Sequence, residues 1–208
     1  MDIFAVIESH DLDLLAKMLS NNVDLNCLSS DSLAWTPLHE AIQQIEDGCS
    51  IDILVLLLRY GAPVNTWDRD HESTPLLIAL FRGQLEAARL LLAAGADPNV
   101  VGSEGDSPLR WCVERGDRDT TALLLRCGAA QTIDGFGGPA GMTALGQAAH
   151  RLDLKMVEIL LRAGADPEAL DTDRFTAVRR MPPADESNND IRLAIEALLI
   201  GCDRQSCE

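Results

Sequence analysis

An all-α fold, a stack of about six helix pairs, is predicted by three features of this sequence. The first is a repeated phrase. An opening [Thr/Ser]-[Pro/Ala]-[Leu/Val] occurs at Thr36-Pro37-Leu38-His39, Thr74-Pro75-Leu76, Ser107-Pro108-Leu109, Thr143-Ala144-Leu145 and Thr176-Ala177-Val178. Each opening leads into a Leu-rich stretch that closes on glycine, at Gly61, Gly95, Gly128, Gly164 and Gly201. The second is composition: 47% of the 208 residues are hydrophobic but only 4% are aromatic, and Leu and Ala dominate. Such a mixture suits layered helices better than a β-sandwich. The third is the constant interval in the pairs Thr74/Gly95, Ser107/Gly128 and Thr143/Gly164, the mark of a structural repeat.

The elements follow in order. The same interval counted back from Asn22 reaches Met1, so Asn22-Val23-Asp24-Leu25-Asn26 reads as a disguised closing and residues 1–26 as an N-terminal cap. Asn replaces Gly there because it tolerates the left-handed conformation that ends a helix. Internal repeats are expected over 27–65, 66–99, 100–132 and 133–168. In each, Thr or Ser caps a short first helix, and Pro fits its first turn, where the N–H has no intrahelical partner. A turn such as Arg82-Gly83 or Arg115-Gly116 follows. The second helix carries a leucine pair, Leu57-Leu58, Leu91-Leu92, Leu124-Leu125 or Leu160-Leu161, expected to face neighbouring repeats. Glycine stops it, and a polar stretch makes the hairpin to the next repeat.

Three departures stand out. The interval Thr36/Gly61 is longer by about one helical turn, with the extra residues expected between the two helices, around 43–49. The fourth hairpin is enlarged over 135–141. The last repeat, 169–203, is degenerate: Met181-Pro182-Pro183 breaks its first helix, and a polar run over 184–189 leads into a final helix near 190–200. An atypical terminal repeat is expected of a cap.

These phrases resemble the ankyrin repeat, with its Thr-Pro-Leu-His-x-Ala opening and period of about 33 residues. The resemblance implies one solenoid domain with β-hairpin connections that holds another protein. It also implies contacts at the hairpin tips and first helices, with the second helices forming the back. Carried over by position, the tips and their flanks give Trp67, Arg69, Asp70, His71, Glu104, Asp106 and Arg174. The ends of the first helices give Gln43, Gln44, Phe81, Arg82, Glu114, Arg115, His150 and Arg151, and the enlarged loop adds Phe136. Trp35 and Trp111 occupy positions where ankyrin repeats place packing aromatics. Trp67 and Phe81 have weaker structural reasons and are candidate anchors. Arg110 takes the place of the framework His, and it either points into the groove or braces it. His39 is the repeat's own His, which in the family braces the hairpin.

The formal net charge of −16 makes the chain a poor ligand for phosphate backbones or anionic membranes. From Met1 to Leu58, Lys17 is the only Lys or Arg, against Asp2, Glu8, Asp11, Asp13, Asp24, Asp31, Glu40, Glu46, Asp47 and Asp52. One protein partner with a basic surface is therefore expected, steered by Glu40, Glu46 and Asp47. The six cysteines form no Cys-x-x-Cys and suggest neither a disulfide framework nor a zinc site. Cys112 and Cys127 stand where the repeat has Ala and read as small core residues. This usage suits a reducing cytoplasm. The N-terminus lacks a basic signal-peptide region, and the longest apolar run, 53–58, is too short to cross a membrane.

Catalytic signatures fail on inspection. His39-Glu40-Ala41-Ile42-Gln43 lacks the second His of a zinc-protease helix. Gly135-Phe136-Gly137-Gly138-Pro139-Ala140 matches Gly-x-Gly-x-x-Ala formally, but Pro139 interrupts it and no strand clearly precedes it. His10, His39, His71 and His150 fall in different repeats. The expectation is a non-catalytic module, without cofactor or metal, monomeric when alone, and cytoplasmic. Its specific role is expected to be that of a bacterial immunity or inhibitor protein neutralising a toxin enzyme. The small domain without a catalytic module and the acidic N-terminal half motivate that reading. An adaptor, scaffold or host-directed effector using the same surface is the alternative, and an enzyme the third.

Overall fold

A computed structural model describes residues 2–30, 34–69, 73–102, 105–138 and 140–201. The chain divides into two compact units, Met1–Gly102 and Ser103–Glu208. The first contains three helix pairs: α1 (Ile3–Glu8) with α2 (Leu12–Ser20), α3 (Pro37–Ile45) with α4 (Ile51–Arg59), and α5 (Pro75–Phe81) with α6 (Leu85–Ala93). First helices pack in one row, α1 on α3 on α5, and second helices in another, α2 on α4 on α6. The second unit repeats the scheme with α7 (Pro108–Arg115) and α8 (Arg118–Arg126), α9 (Ala144–His150) and α10 (Leu154–Arg162), α11 (Ala177–Arg180) and α12 (Asn189–Gly201). There α7, α9 and α11 form the first row, and α8, α10 and α12 the second.

The repeated opening starts three of the first helices by satisfying exposed backbone donors. Thr74, Ser107 and Thr143 accept from the N–H three residues on, at 3.4, 3.3 and 3.0 Å. Second helices start the same way at Asp11, Asp117 and Asp153, and at Ser50, which accepts from the N–H two residues on. Each such cap contributes about 1 kcal/mol. At the other end, Gly95 follows α6 with φ 92°, a conformation that costs a residue with a Cβ. Asn22 fills the same role after α2 with φ 56°, as the disguised closing predicts.

The core is built from one side of each helix. Leu57, Leu91, Leu124 and Leu160 are fully buried, whereas Leu58, Leu92, Leu125 and Leu161 are only half-buried. Successive helical residues point about 100° apart, so only one member of a pair can face the neighbouring helices. The expectation that both members do so is corrected to the first. Cys112 is buried, and burial pushes its thiol up to about 12. Cys127 is exposed at the C-cap of α8, so its expected core position is wrong.

The departures from regularity resolve simply. The long second repeat puts part of its extra length into α3, which has 9 residues against 7 in α5 and α9, and the rest into the following turn. The enlarged loop forms an antiparallel pair, β1 (Phe136–Gly137) with β2 (Met142–Thr143). Among the described residues, three other loops carry a cross-loop backbone bond, from Ser29 N–H to Trp35 O, Asp68 N–H to Ser73 O and Asp171 N–H to Phe175 O. Side chains then tie repeat to repeat: Asn65 accepts from the N–H of Asp97 at 2.8 Å, and Asp134 from that of Asp166 at 2.8 Å. α11 stops after 4 residues, ahead of Pro182 and Pro183, and α12 runs for 13.

Replacing Leu91 or Leu124 with Ala is expected to cost about 2–5 kcal/mol, because each opens a cavity in a closed layer. Chemical denaturation measures it. Unchanged midpoints in both variants would contradict the packing described.

Candidate functional site

Because the first helices lie side by side, their C-terminal ends form a row. In the first unit that row is held together by polar side chains. His10 Nε2 lies 3.3 Å from Gln44 Oε1, and Gln44 Nε2 donates to Glu40 Oε1 at 2.8 Å. The Arg82 guanidinium binds both Gln43 and Glu46. Gln84 Nε2 donates to the Ile42 carbonyl at 3.0 Å. Gln43, Gln44 and Arg82 are consequently half-buried: the expected contact residues also join their own repeats.

Beside this row lies a pocket of about 240 Å³, lined by Trp35, Asp68, Ser73, Ile78, Phe81 and Arg82. Trp35 stacks on His39 with ring centroids 6.2 Å apart, which is a packing contact, and it also borders the pocket. Trp67 is half-buried and Arg69 exposed, while Asp70 and His71 lie outside the described residues.

His39 is fully buried. The N–H of Thr36 donates to its Nδ1 at 3.2 Å, which places the proton of the neutral ring on Nε2. Among the described residues no group meets the buried Nε2 in good hydrogen-bond geometry, although the Ser73 and Thr66 backbone lies close enough to favour its proton. Burial lowers the pKa of this imidazole to about 4; Asp68 and the Ser73 and Thr66 backbone oppose that shift without cancelling it. Among the described residues no three His, Cys, Asp or Glu side chains are grouped to hold a metal ion.

Charge in the first unit is heavily one-signed, with fifteen acidic residues against five basic ones. The steering triad needs correction, however. Glu40 is only 8% exposed, on the wall of a second pocket of about 260 Å³ that also involves Asp2 and Glu8. Glu46 is engaged by Arg82, and Asp47 stands exposed.

In the second unit Arg110 is 4% exposed and pairs with Asp106 and Glu114, the latter at 3.2 Å. It braces rather than points outward, and it leaves the list of surface contacts. Gly138 lies directly against its guanidinium, where a Cβ would collide, and Gly137 is equally close to the Gly105 backbone. Two of the glycines that mimic a dinucleotide motif therefore serve close packing, Gly137 against another loop and Gly138 against Arg110. Phe136, on that loop, is 54% exposed. Asp106 is half-buried, and Glu104 lies outside the described residues.

The ends of α7, α9 and α11 are also joined. Arg151 donates to the Glu114 carbonyl, and His150 Nδ1 lies 3.0 Å from the Arg180 carbonyl. The Arg115 guanidinium sits over the Trp111 ring at 5.4 Å. Arg180 is held by Asp171 and by Asp173, the latter at 2.6 Å. Burial alone would raise the Asp171 carboxyl, but Arg180 and the N–H groups of Phe175 and Asp173 hold it below the ordinary range. Phe175 carries Arg179 and Arg180 on its ring at 5.1 and 5.0 Å, and Arg174 is exposed with φ 62°. Phe175 and Arg179 are absent from the sequence-based candidates because the last repeat is degenerate. The signal was that Phe175 precedes Thr176 as Trp35 precedes Thr36.

A family model described as ankyrin repeats, three copies, matches residues 3–102 and 94–171. An ankyrin repeat protein of fowlpox virus is 32% identical over 122 residues, 59% of this chain and 20% of its own length. An ankyrin repeat-containing protein of Treponema pallidum is 32% identical over 145 residues, 65% of this chain and 46% of its own. The chain thus spans less than half of either relative. Among solved structures, an ankyrin repeat domain from Acinetobacter baumannii superposes with TM-score 0.77 at 26% identity, covering 97% of both chains. A chain from the complex of a predatory endopeptidase of Bdellovibrio bacteriovorus with an immunity protein gives TM-score 0.69 at 23% identity, over 93% of this chain and 96% of that one.

The buried imidazole generates a pH prediction. Below 6.5 the unfolded chain protonates His39 while the folded chain does not, until about pH 4. The stability that the neutral ring confers is therefore complete above 6.5 and lost as pH falls through that window. Chemical denaturation across the window is expected to show a decline that His39→Gln flattens. An equal decline in the variant would contradict the assignment.

Proposed function

Given that the chain belongs to the ankyrin-repeat family, we propose that it is a non-catalytic module that holds one protein partner against its first-helix ends and loops. We further propose that it acts in the cytoplasm as an inhibitor, in the manner of an immunity protein that neutralises an enzyme. One observation carries the reading. The first-helix ends present polar and aromatic side chains already fixed by bonds between repeats, beside a pocket bordered by Trp35 and Phe81. A surface so fixed loses little conformational freedom on binding. Gln43, Gln44, Trp67, Arg69, Phe81 and Arg82 are its contacts in the first unit, and Glu114, Arg115, Phe136, His150 and Arg151 in the second.

Two further facts support the inhibitor reading. One chain of the Bdellovibrio complex of an endopeptidase with an immunity protein is similar to this chain over 93% of this chain's length. The acidic excess of the first unit suits a target with a basic surface, which complementary charge would capture faster.

Affinity purification with mass spectrometry, followed by assay of the captured partner, tests both levels. An enzyme whose activity falls in proportion to added chain is expected. A captured partner whose activity is untouched would remove the inhibitor role. Failure to capture any protein would remove the binding role. Truncating Phe81 or Trp67 to Ala is expected to weaken the partner by about 1–4 kcal/mol with little change in stability. Full affinity in both variants would contradict their place in the contact surface.

A further inference from the structure

Within a chain of net charge −16, the first-helix face of the second unit carries a strip of opposite sign. Arg115 is exposed at the end of α7, Arg151 just beyond α9 and Arg179 on α11. The three belong to one strip, because Arg151 donates to the carbonyl of Glu114, the neighbour of Arg115, and His150 bonds the carbonyl of Arg180, the neighbour of Arg179. None of the three makes an ion pair among the described residues. The nearby carboxylates are already engaged elsewhere: Glu114 and Asp106 on Arg110, Asp171 and Asp173 on Arg180. The unit has thus used its local acids on two inner arginines and left three outer ones with their charge unmatched.

The outer arginines are also positioned. Arg115 lies over Trp111 and Arg179 over Phe175, contacts that restrain each guanidinium while leaving its residue exposed. Arg151 spends one donor on a neutral carbonyl, which keeps its charge. The planar fork of an exposed guanidinium is able to receive a carboxylate bidentately.

We propose that this strip receives an acidic polypeptide segment, its Asp or Glu carboxylates seated on Arg115, Arg151 and Arg179. The proposal rests on the reading of the first-helix face as the binding surface and adds the chemistry of what one part of it holds. The partner is then two-signed: basic where it meets the first unit, acidic where it meets this strip. An acidic peptide is favoured over nucleic acid because a phosphate backbone carries dense charge over its whole length, and the remaining acidic surface of the chain repels it.

A fluorescein-labelled oligoglutamate peptide titrated with the full chain tests this by anisotropy. Binding that weakens with added salt is expected. The triple variant Arg115→Gln/Arg151→Gln/Arg179→Gln should bind about tenfold or more weakly while still unfolding cooperatively, the lost Arg151–Glu114 bond and ring contacts lowering the thermal midpoint only slightly. The control Arg126→Gln/Arg162→Gln removes two exposed cations from the second helices and should leave binding intact. Equal loss in that control would overturn the strip, since net charge alone would then explain the effect. Absence of oligoglutamate binding also overturns it, as does tighter binding of a single-stranded oligonucleotide. The binding-module reading falls separately, on failure to capture a protein partner.

Discussion

A helix of seven or nine residues, even paired with another, cannot hide its apolar stripe from water. Each pair must lay that stripe against the next, and the other regularities follow from this constraint. Within each unit the two rows of helices exist because a fully buried leucine such as Leu57 or Leu160 needs neighbours on both sides. Short helices also make the caps matter, since a large share of their backbone groups lies at an end. Hence the repeated Thr-Pro opening and the left-handed closing residue. The same stacking sets the first-helix ends beside one another, so the candidate surface is a consequence of how the core is closed.

That surface is not a set of free side chains waiting for a partner. Gln43, Gln44, Arg82 and Arg151 already bond across repeats, and this fixes them in place. Two repeats also show how one position solves one problem in two ways. His39 and Arg110 both stand three residues after the helix-capping Thr36 or Ser107, and both are buried. The imidazole remains there as a neutral ring, which burial favours. The guanidinium cannot lose its proton, so it needs Asp106 and Glu114 as counter-charges and Gly138 to make room. The larger residue thus draws in the enlarged loop on which Phe136 is carried.

Much of the architecture was legible in the sequence because it depends on short-range chemistry. Thr, Pro and Gly at fixed spacing report helix starts and stops directly, and even Asn22 could be read as a closing residue. The final helix and the break at Pro182 were legible for the same reason. Less was legible where the answer depended on direction or on distant partners. Cys127 looked like a core residue by position, yet it lies past the end of α8 and faces outward. Glu40 looked like a steering charge, but the face of α3 that carries it is covered. Which arginines were neutralised could not be read from spacing, because Arg82 finds Glu46 and Arg118 finds Asp153 across repeats, the latter at 2.8 Å. Phe175 and Arg179 were hidden by the degeneracy of the repeat that contains them.

The central claim is that the partner lies on the first-helix ends and loops and leaves the second helices free. Amide hydrogen exchange of the chain with and without its captured partner tests it most directly, because exchange reports protection segment by segment. Slowed exchange is predicted around residues 43–48, 81–84, 114–117 and 150–153, with α4, α6, α8 and α10 unchanged. Protection confined to those second helices, with the first-helix ends exchanging as in the free chain, would contradict the account.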